Sequence, residues 1–365
     1  RHVRWWGRAS LPRLNTSSLR IQKARSVQKG GRMSHCTDHS PPVRYYQPAG
    51  LSLLFTPLPK GAQRPVLDLA YDLGPEHKLR FSAREALGVP EQTLLLALLG
   101  LAGEQYADRG DEAVVSAADE RTVAGRLWSS LYPDGGQGMP QTVMVRTTWE
   151  ALNRRCGTGS GGSTIEMRKA GLRRLCEVVV WEEHAGRRTT RQSFLLVWVQ
   201  GDDRHIHLAL NHRLASVFFG GQYAKLWMTE RLHLGTDLAM HVHAFLSTCM
   251  RPGGSLSIGL DTLAARVWPA DHDTAPAGTK RRRRCQLRSA LDAIGRLHHW
   301  DVHWEAGVGG AHKAVIRRSE GRGARDMTQP AEASALVRVR GSVDLPVSTR
   351  CARPSTNDVC SLFRT

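Results

Sequence analysis

The sequence predicts an α+β chain, because two stretches each combine amphipathic helices with a β-hairpin. Leu260–Trp268 carries apolar residues at i, i+3, i+4 and i+7, the spacing of a helix packed on a core. Thr279–His298 has an apolar stripe beside a cationic face, and alternating residues then run from Val302 to Ile316 around a glycine turn. Residues 148–199 repeat this order. Helix, basic helix and hairpin are typical of the winged helix, a helix-turn-helix variant, so we predict two in tandem.

The first copy has a local signal for each of its elements. Thr148 can cap a helix that runs to Arg155, and the glycine-rich stretch Gly157–Ser163 follows as a flexible connection. Thr164–Cys176 is then the basic helix. Val178–Trp181 and Phe194–Val199 are apolar enough to form the two strands of the hairpin.

The remaining elements are predicted to support these two copies. Glu91–Tyr106 is apolar nearly all round, which indicates a buried helix. Thr229–Thr248 is predicted as one long helix that scaffolds the second copy. Leu67–Leu73 and Lys78–Phe81 should be short strands. Residues 34–65 contain many prolines and are predicted to be irregular.

These elements divide the chain into four predicted segments: residues 1–59, a basic and mostly irregular N-terminal extension; 60–200, the first winged-helix domain; 201–318, the second, with the main recognition helix; and 319–365, a disordered tail.

Residues 1–32 are rich in Arg and Ser and contain no acidic residue. That composition fits a transit peptide, translated sequence upstream of Met33, or a disordered arm that holds DNA. Of these three explanations for residues 1–32, we favour translated sequence upstream of Met33.

The net charge of +18 lies in two places. Residues 1–32 carry +9 and residues 279–318 carry +7, whereas residues 33–278 are neutral and residues 319–365 carry +2. Charge concentrated in one arm and one candidate DNA-reading element predicts a localised surface for a polyanion. An ordinary basic surface is the alternative.

Cysteine usage and hydropathy predict a cytoplasmic protein that does not contact a membrane. The seven cysteines are scattered and include no CxxC pair, which favours reduced thiols. The longest apolar run, Leu94–Ala102, is too short to span a bilayer.

The helix that begins near Thr279 is the predicted DNA-reading element. Lys280–Arg284 is a run of five cations at a helix N-terminus, where positive charge opposes the helix dipole. That cost favours a polyanion partner, although a solvated charge run is the alternative. Arg283 falls near the apolar side and should contact another part of the protein. The predicted DNA contacts are Lys280, Arg281, Arg282, Arg284 and Arg288 on this helix, Lys313 and Arg317 in the following strand, and Arg168, Lys169 and Arg173 in the first copy.

Four stretches resemble a known family. They are LDLAYDLGPEHKLRFSAREALGV (Leu67–Val89), NHRLASVFFGGQYAKLWMTERLHL (Asn211–Leu234), SIGLDTLAARVWP (Ser257–Pro269) and KRRRRCQLRSALDAIGRLHHWDV (Lys280–Val302). In order and spacing they resemble the replication initiator RepC of IncQ-type plasmids, over about residues 60–318. The resemblance implies tandem winged helices that bind directly repeated sites, called iterons, in double-stranded origin DNA and open the origin. It also implies a plasmid helicase and primase as partners, and self-association on repeated sites is possible for such a protein.

Two other functions compete with initiation. A winged-helix transcription regulator would have the same composition. A rolling-circle nicking endonuclease would use a metal on His205 and His207 and a nucleophile such as Tyr223. The His-hydrophobe-His triplet is short, and the aspartates just before it, Asp202 and Asp203, are predicted to lie in a turn. The chain also lacks the GxxxxGK[ST] motif of a P-loop. We therefore predict a non-enzymatic protein that needs no cofactor and no metal.

Overall fold

The computed structural model describes residues 41–46, 54–59, 61, 63–72, 77–116, 121–135, 138, 140–159, 161–184, 191–201, 204–269, 271–306 and 312–320. The predictions for residues 1–32 and for the tail after residue 320 lie outside these described residues.

The described chain contains helices and short strands throughout. The helices are α1 (Val89–Arg109), α2 (Val123–Leu131), α3 (Trp149–Arg155), α4 (Gly162–Cys176), α5 (His212–Ala215), α6 (Met228–His233), α7 (Asp237–Cys249), α8 (Leu260–Val267) and α9 (Ala277–Ile294). The strands are β1 (Val43–Tyr46), β2 (Leu67–Asp72), β3 (His77–Ala83), β4 (Val114–Val115), β5 (Thr142–Thr147), β6 (Val179–His184), β7 (Arg191–Phe194), β8 (Leu196–Gln200), β9 (Ile206–Leu210), β10 (Tyr223–Leu226), β11 (Ser255–Gly259), β12 (Trp300–Ala306) and β13 (His312–Arg318). The predicted α+β fold class is confirmed. Within the described ranges, no helix combines the length and apolar composition needed to cross a bilayer.

The C-terminal unit has the order of elements that the sequence predicts. Helix α7 is followed by β11, then by α8 and α9, and finally by the hairpin β12–β13. The three strands form an antiparallel sheet in the order β11-β13-β12, with Ile258 opposite Ala314 and Val302 opposite Ile316. One hydrophobic core, built from residues between Leu234 and Ile316, holds the unit together.

The elements from β1 to β10, here called the N-terminal unit, include helices and a hairpin in the same order, but their strands form separate sheets. Its hairpin β6–β7 extends β2 and β3 into a four-stranded sheet, whereas β5 pairs with β9 in the sheet β4-β5-β9-β8. The division occurs at Leu195, which separates β7 from β8 and is buried. Its backbone N–H donates to Val178 and its carbonyl accepts from Asn211, so the chain passes from one sheet to the other there. The buried residues of helix α1 lie between Val89 and Ala102. Its apolar side chains belong to a hydrophobic core whose residues come from the stretch between Val43 and Ala244 in the sequence.

Three predicted elements differ from the structure. The strand predicted over Phe194–Val199 is divided at Leu195 into β7 and β8, which belong to different sheets. The single helix over Thr229–Thr248 is two helices, α6 and α7, because Thr236 caps a new start by accepting a hydrogen bond from the N–H of Ala239. The irregular stretch 34–65 contains β1, in which Val43 and Tyr45 are buried. Strand β1 pairs with β10, far along the sequence, so no local pattern indicated it.

A buried arginine ties α6 to its neighbours. Arg231 is fully buried and donates to Gln92 Oε1 and Thr93 Oγ1 in α1 and to the carbonyl of Met240 in α7. Burial lowers the pKa of Arg231 to about 10, and the guanidinium stays charged at neutral pH. Breaking these hydrogen bonds would leave a buried charge unsolvated, which fixes α6 between the two helices.

The pH dependence of stability follows from His241. Burial, together with the positive charge of Arg231, lowers the pKa of His241 to about 4 from 6.5. Between these values only the unfolded chain takes up the proton, so stability falls as the pH falls. We expect the free energy of unfolding to drop by on the order of 2 kcal/mol between about pH 7 and pH 5 from this residue alone. Urea denaturation of His241→Gln should give a flatter profile, and a profile as steep as that of the wild type would contradict this expectation.

Candidate nucleic-acid interface

The position of α9 follows from its apolar stripe. Leu287, Ala290, Leu291 and Ile294 are buried, and the helix packs against α7 and α8. The helix begins after Pro276, whose carbonyl accepts from the N–H of Lys280. With the stripe turned inward, the remaining faces of the first turns are turned to solvent. Among the cations of these turns, one is therefore buried and several are exposed.

Arg283 is the buried member, as its place on the helix predicts. It is 9% exposed, and its Nη2 donates to both carboxylate oxygens of Asp271, at 2.8 and 2.7 Å. Its guanidinium carbon lies 4.9 Å from the centre of the Trp268 ring. Hydrogen bonding to Arg283 lowers the pKa of Asp271. Arg283 therefore joins α9 to the α8–α9 connection.

Arg281 and Arg282 are the most available cations of the run. Both are exposed, and neither has a hydrogen-bond or ion-pair partner among the residues that the structure describes. Lys280 donates from Nζ to the carbonyl of Asp273 at 2.9 Å. Arg288 is exposed too, and its guanidinium carbon lies 4.8 Å from the Trp304 ring centre. The N-terminal half of α9 thus presents a cationic surface.

Arg284 differs from its neighbours because a carboxylate holds it. Its Nε donates to Asp261 Oδ1 at 2.7 Å, and its Nη2 donates to Asp261 Oδ2 at 2.9 Å. Both side chains stay about half exposed, at 46% and 52%. Asp261 lies in the first turn of α8, and hydrogen bonding to Arg284 lowers its pKa. The pair links the two helices at the surface.

The two predicted contacts in the hairpin lie apart. Lys313 and Arg317 are both exposed on one face of β13, while Ala314 and Ile316 face the core. Four residues of extended strand separate them by about 13 Å. Lys313 is opposite Glu305 towards the tip of the hairpin, and Arg317 is opposite Asp301 at its base. Of the two, Lys313 is nearer to the tip.

The structure differs from the sequence-based prediction at Arg168. Its side chain is buried, with 6% of the residue exposed, and Nη2 donates to Thr158 Oγ1 at 3.2 Å. It supports the glycine-rich connection and offers little surface to a ligand. Lys169 remains accessible but pairs with Glu166 at 2.8 Å, and Arg173 is exposed.

Another arginine of α4 is structural. Arg174 donates to Glu91 Oε1, which also accepts from Arg64, while Glu91 Oε2 accepts from the N–H of Gly88. Burial alone would raise the pKa of Glu91, but the hydrogen bonds and charges of the two arginines lower it. Glu91 therefore remains ionised and holds α4 to the start of α1.

Glu230 is the centre of a polar network, which the sequence did not reveal. Its carboxylate accepts from His243 Nε2 and Trp300 Nε1, both at 3.0 Å, and lies 2.6 Å from His299 Nδ1. Burial opposes its ionisation, yet these contacts bring its pKa to about 2. The network fastens α6 to α7 through His243, and to the start of β12 through His299 and Trp300. No motif could indicate it, because its members are far apart in sequence.

The residues of the nicking alternative lie on different sheets. His207 belongs to β9, opposite Val199 and Arg146, and His205 directly precedes that strand. Tyr223 belongs to β10, opposite Tyr46, and the guanidinium carbon of Arg44 lies 5.0 Å from its ring centre. In the described part of the chain, no three His, Cys, Asp or Glu side chains are grouped so that they could hold a metal ion.

The class of protein is defined by comparison with known families. The model of the family "Replication protein C (RepC)" matches residues 40–308, which is well over half of the chain. The chain therefore belongs to the replication protein C family, a family of replication proteins. A search of curated protein sequences gives no match.

Two solved structures are similar in backbone. One crystal structure of domains 2 and 3 of RctB is 11% identical, with 75% of this chain and 99% of that chain covered and a TM-score of 0.47. Another crystal structure of the same domains is 10% identical, with 72% and 95% covered and a TM-score of 0.44.

The contribution of buried Glu91 to stability can be distinguished from that of an exposed charge. Glu91→Ala would leave Arg64 and Arg174 partly buried without their counter-charge. We expect it to lower the free energy of unfolding by about 3 kcal/mol, as measured by urea denaturation of the full chain. Glu166→Ala, which breaks the exposed pair with Lys169, should leave the midpoint unchanged. Equal effects of the two substitutions would contradict this assignment.

Proposed function

We propose that this protein is a plasmid replication initiator of the IncQ type that binds iterons in double-stranded origin DNA. The observation that carries the proposal is the exposed cationic N-terminal half of α9. In helix-turn-helix proteins this end of the recognition helix enters the major groove and contacts the bases. Arg281 and Arg282 are exposed there without a partner among the described residues, and membership of the replication protein C family makes origin DNA the natural ligand.

The chemistry of the surface suits duplex DNA. Arginine can donate two hydrogen bonds to guanine O6 and N7 and also binds phosphate. Arg281 and Arg284 lie about one turn apart on α9, so they can reach neighbouring base pairs. Lys313, in the hairpin, is suited to a phosphate contact. Lys169 and Arg173 on α4 are candidates for a second contact made by the N-terminal unit.

The rest of the proposal follows the family resemblance. Binding to repeated sites would open the origin, bring in the plasmid helicase and primase, and allow self-association along the DNA. All of these events take place in the bacterial cytoplasm. The protein itself would catalyse no reaction and would need neither a metal nor another cofactor.

Measurements of binding to a duplex that carries the direct repeats beside the gene, and to a scrambled duplex, test the proposal. Arg281→Ala and Arg284→Ala should each reduce the preference for the repeat by about 1–3 kcal/mol, because a bidentate base contact is lost. Lys313→Ala should weaken binding to both duplexes equally and flatten the salt slope by about one.

A matched control is Arg296→Ala, which removes the same charge just beyond the C-terminal end of α9 and should leave the preference unchanged. A wild-type slope of log affinity against log salt shallower than about −3 would count against phosphate binding by many cations. If Lys169→Ala abolished the preference while Arg281→Ala and Arg284→Ala left it unchanged, the first unit would be the reader.

The non-enzymatic part of the proposal has its own test. Purified protein should leave supercoiled and single-stranded origin DNA intact with any divalent metal, because β9 and β10 hold His207 and Tyr223 in different sheets. Denaturing gel electrophoresis would detect cleavage. A covalent protein–DNA adduct that disappears in Tyr223→Phe would establish the nicking mechanism instead.

A further inference from the structure

Asp261 is the acidic residue paired directly with a predicted base-reading arginine. It projects from the first turn of α8, where a carboxylate is favoured by the helix dipole, and it pairs with Arg284 across the α8–α9 interface. In helix-turn-helix proteins the helix before the recognition helix crosses the DNA backbone. A free carboxylate at this place would repel phosphates. Its presence within the cationic surface therefore requires an explanation other than affinity.

The geometry of the pair leaves a defined part of the guanidinium available. Asp261 occupies the N–H of Nε and one N–H of Nη2, through two nearly parallel hydrogen bonds. An arginine has five N–H donors, so both N–H groups of Nη1 and one of Nη2 remain free. Those three point away from Asp261 along the plane of the guanidinium. One N–H of Nη1 and the remaining N–H of Nη2 form the edge that can donate two hydrogen bonds to guanine O6 and N7.

We propose that Asp261 is a specificity-determining residue that orients Arg284 towards a guanine and prevents it from binding phosphate. This inference rests on the proposed function of α9. An unrestrained arginine can rotate to the nearest phosphate and bind any sequence. With Asp261 in place, Arg284 keeps one orientation, and the carboxylate makes a phosphate a poor neighbour. The pair therefore lowers non-specific affinity and raises discrimination at one base pair.

Selection from a duplex library randomised over about two helical turns tests the inference with the full-length protein. Asp261→Asn should retain the selected motif but lose the preference for guanine at a single position, by about fivefold or more. On a scrambled duplex the same variant should bind more tightly. Its salt slope should steepen by about one, because Arg284 becomes free to neutralise a phosphate.

The chain contains a matched control for this substitution. Asp68 and Arg80 form the same two hydrogen bonds, at 2.7 and 2.8 Å, with both side chains 53% exposed, between β2 and β3. Asp68→Asn removes an equal charge and breaks an equal pair. It should change neither the selected motif nor the salt slope. Both variants should unfold like the wild type, because exposed pairs contribute little to stability.

A double-mutant cycle decides whether Asp261 acts through Arg284. In an Arg284→Ala background, Asp261→Asn should have no further effect on the guanine preference. A uniform gain in affinity at every position would show that Asp261 only repels DNA and would overturn the inference. So would an unchanged preference at all positions. A wild-type protein that selects no motif would refute the proposed function, and this inference would fall with it.

Discussion

The packing of α9 through its apolar stripe is the constraint on which the rest of the interface depends. Leu287, Leu291 and Ile294 are buried against α7 and α8, and this burial leaves the helix one orientation. Transfer of three such side chains out of water stabilises that orientation by several kcal/mol at roughly 1.5–3 kcal/mol each. The five clustered cations at the N-terminus oppose this at about 0.3–1 kcal/mol each, a smaller total. The unit can therefore tolerate a charge arrangement that its own folding does not require.

The arginines of the molecule fall into groups that composition alone does not separate. Arg231 and Arg318 are buried and donate hydrogen bonds to backbone carbonyls of other elements, so they hold elements together. Arg174 and Arg283 are held by carboxylates and brace their own helices. Arg281 and Arg282 remain exposed. The net positive charge therefore overestimates the charge available for binding, because several arginines make contacts within the protein.

The two units contain the same order of helices and hairpin but differ in how their strands pair. In the C-terminal unit the three strands close a single small sheet beside α8 and α9. In the N-terminal unit the hairpin β6–β7 joins β2 and β3, and β5 joins β9. Glu91 and Glu230 then anchor each unit from within by accepting several hydrogen bonds each.

The sequence by itself determined the α+β class, most helices and strands, the family and the position of Arg283, because these depend on periodicity and short motifs. Apolar spacing along α9 directly specifies which side chains turn inward. Tertiary structure decided the division of Thr229–Thr248 into α6 and α7, the pairing of β1 with β10, the burial of Arg168 and the capture of Arg284 by Asp261. Each of these depends on a partner distant in sequence or on the competition between a cap and a continuing helix. Such contacts form only when the chain folds, so the pattern of neighbouring residues in the sequence does not indicate them.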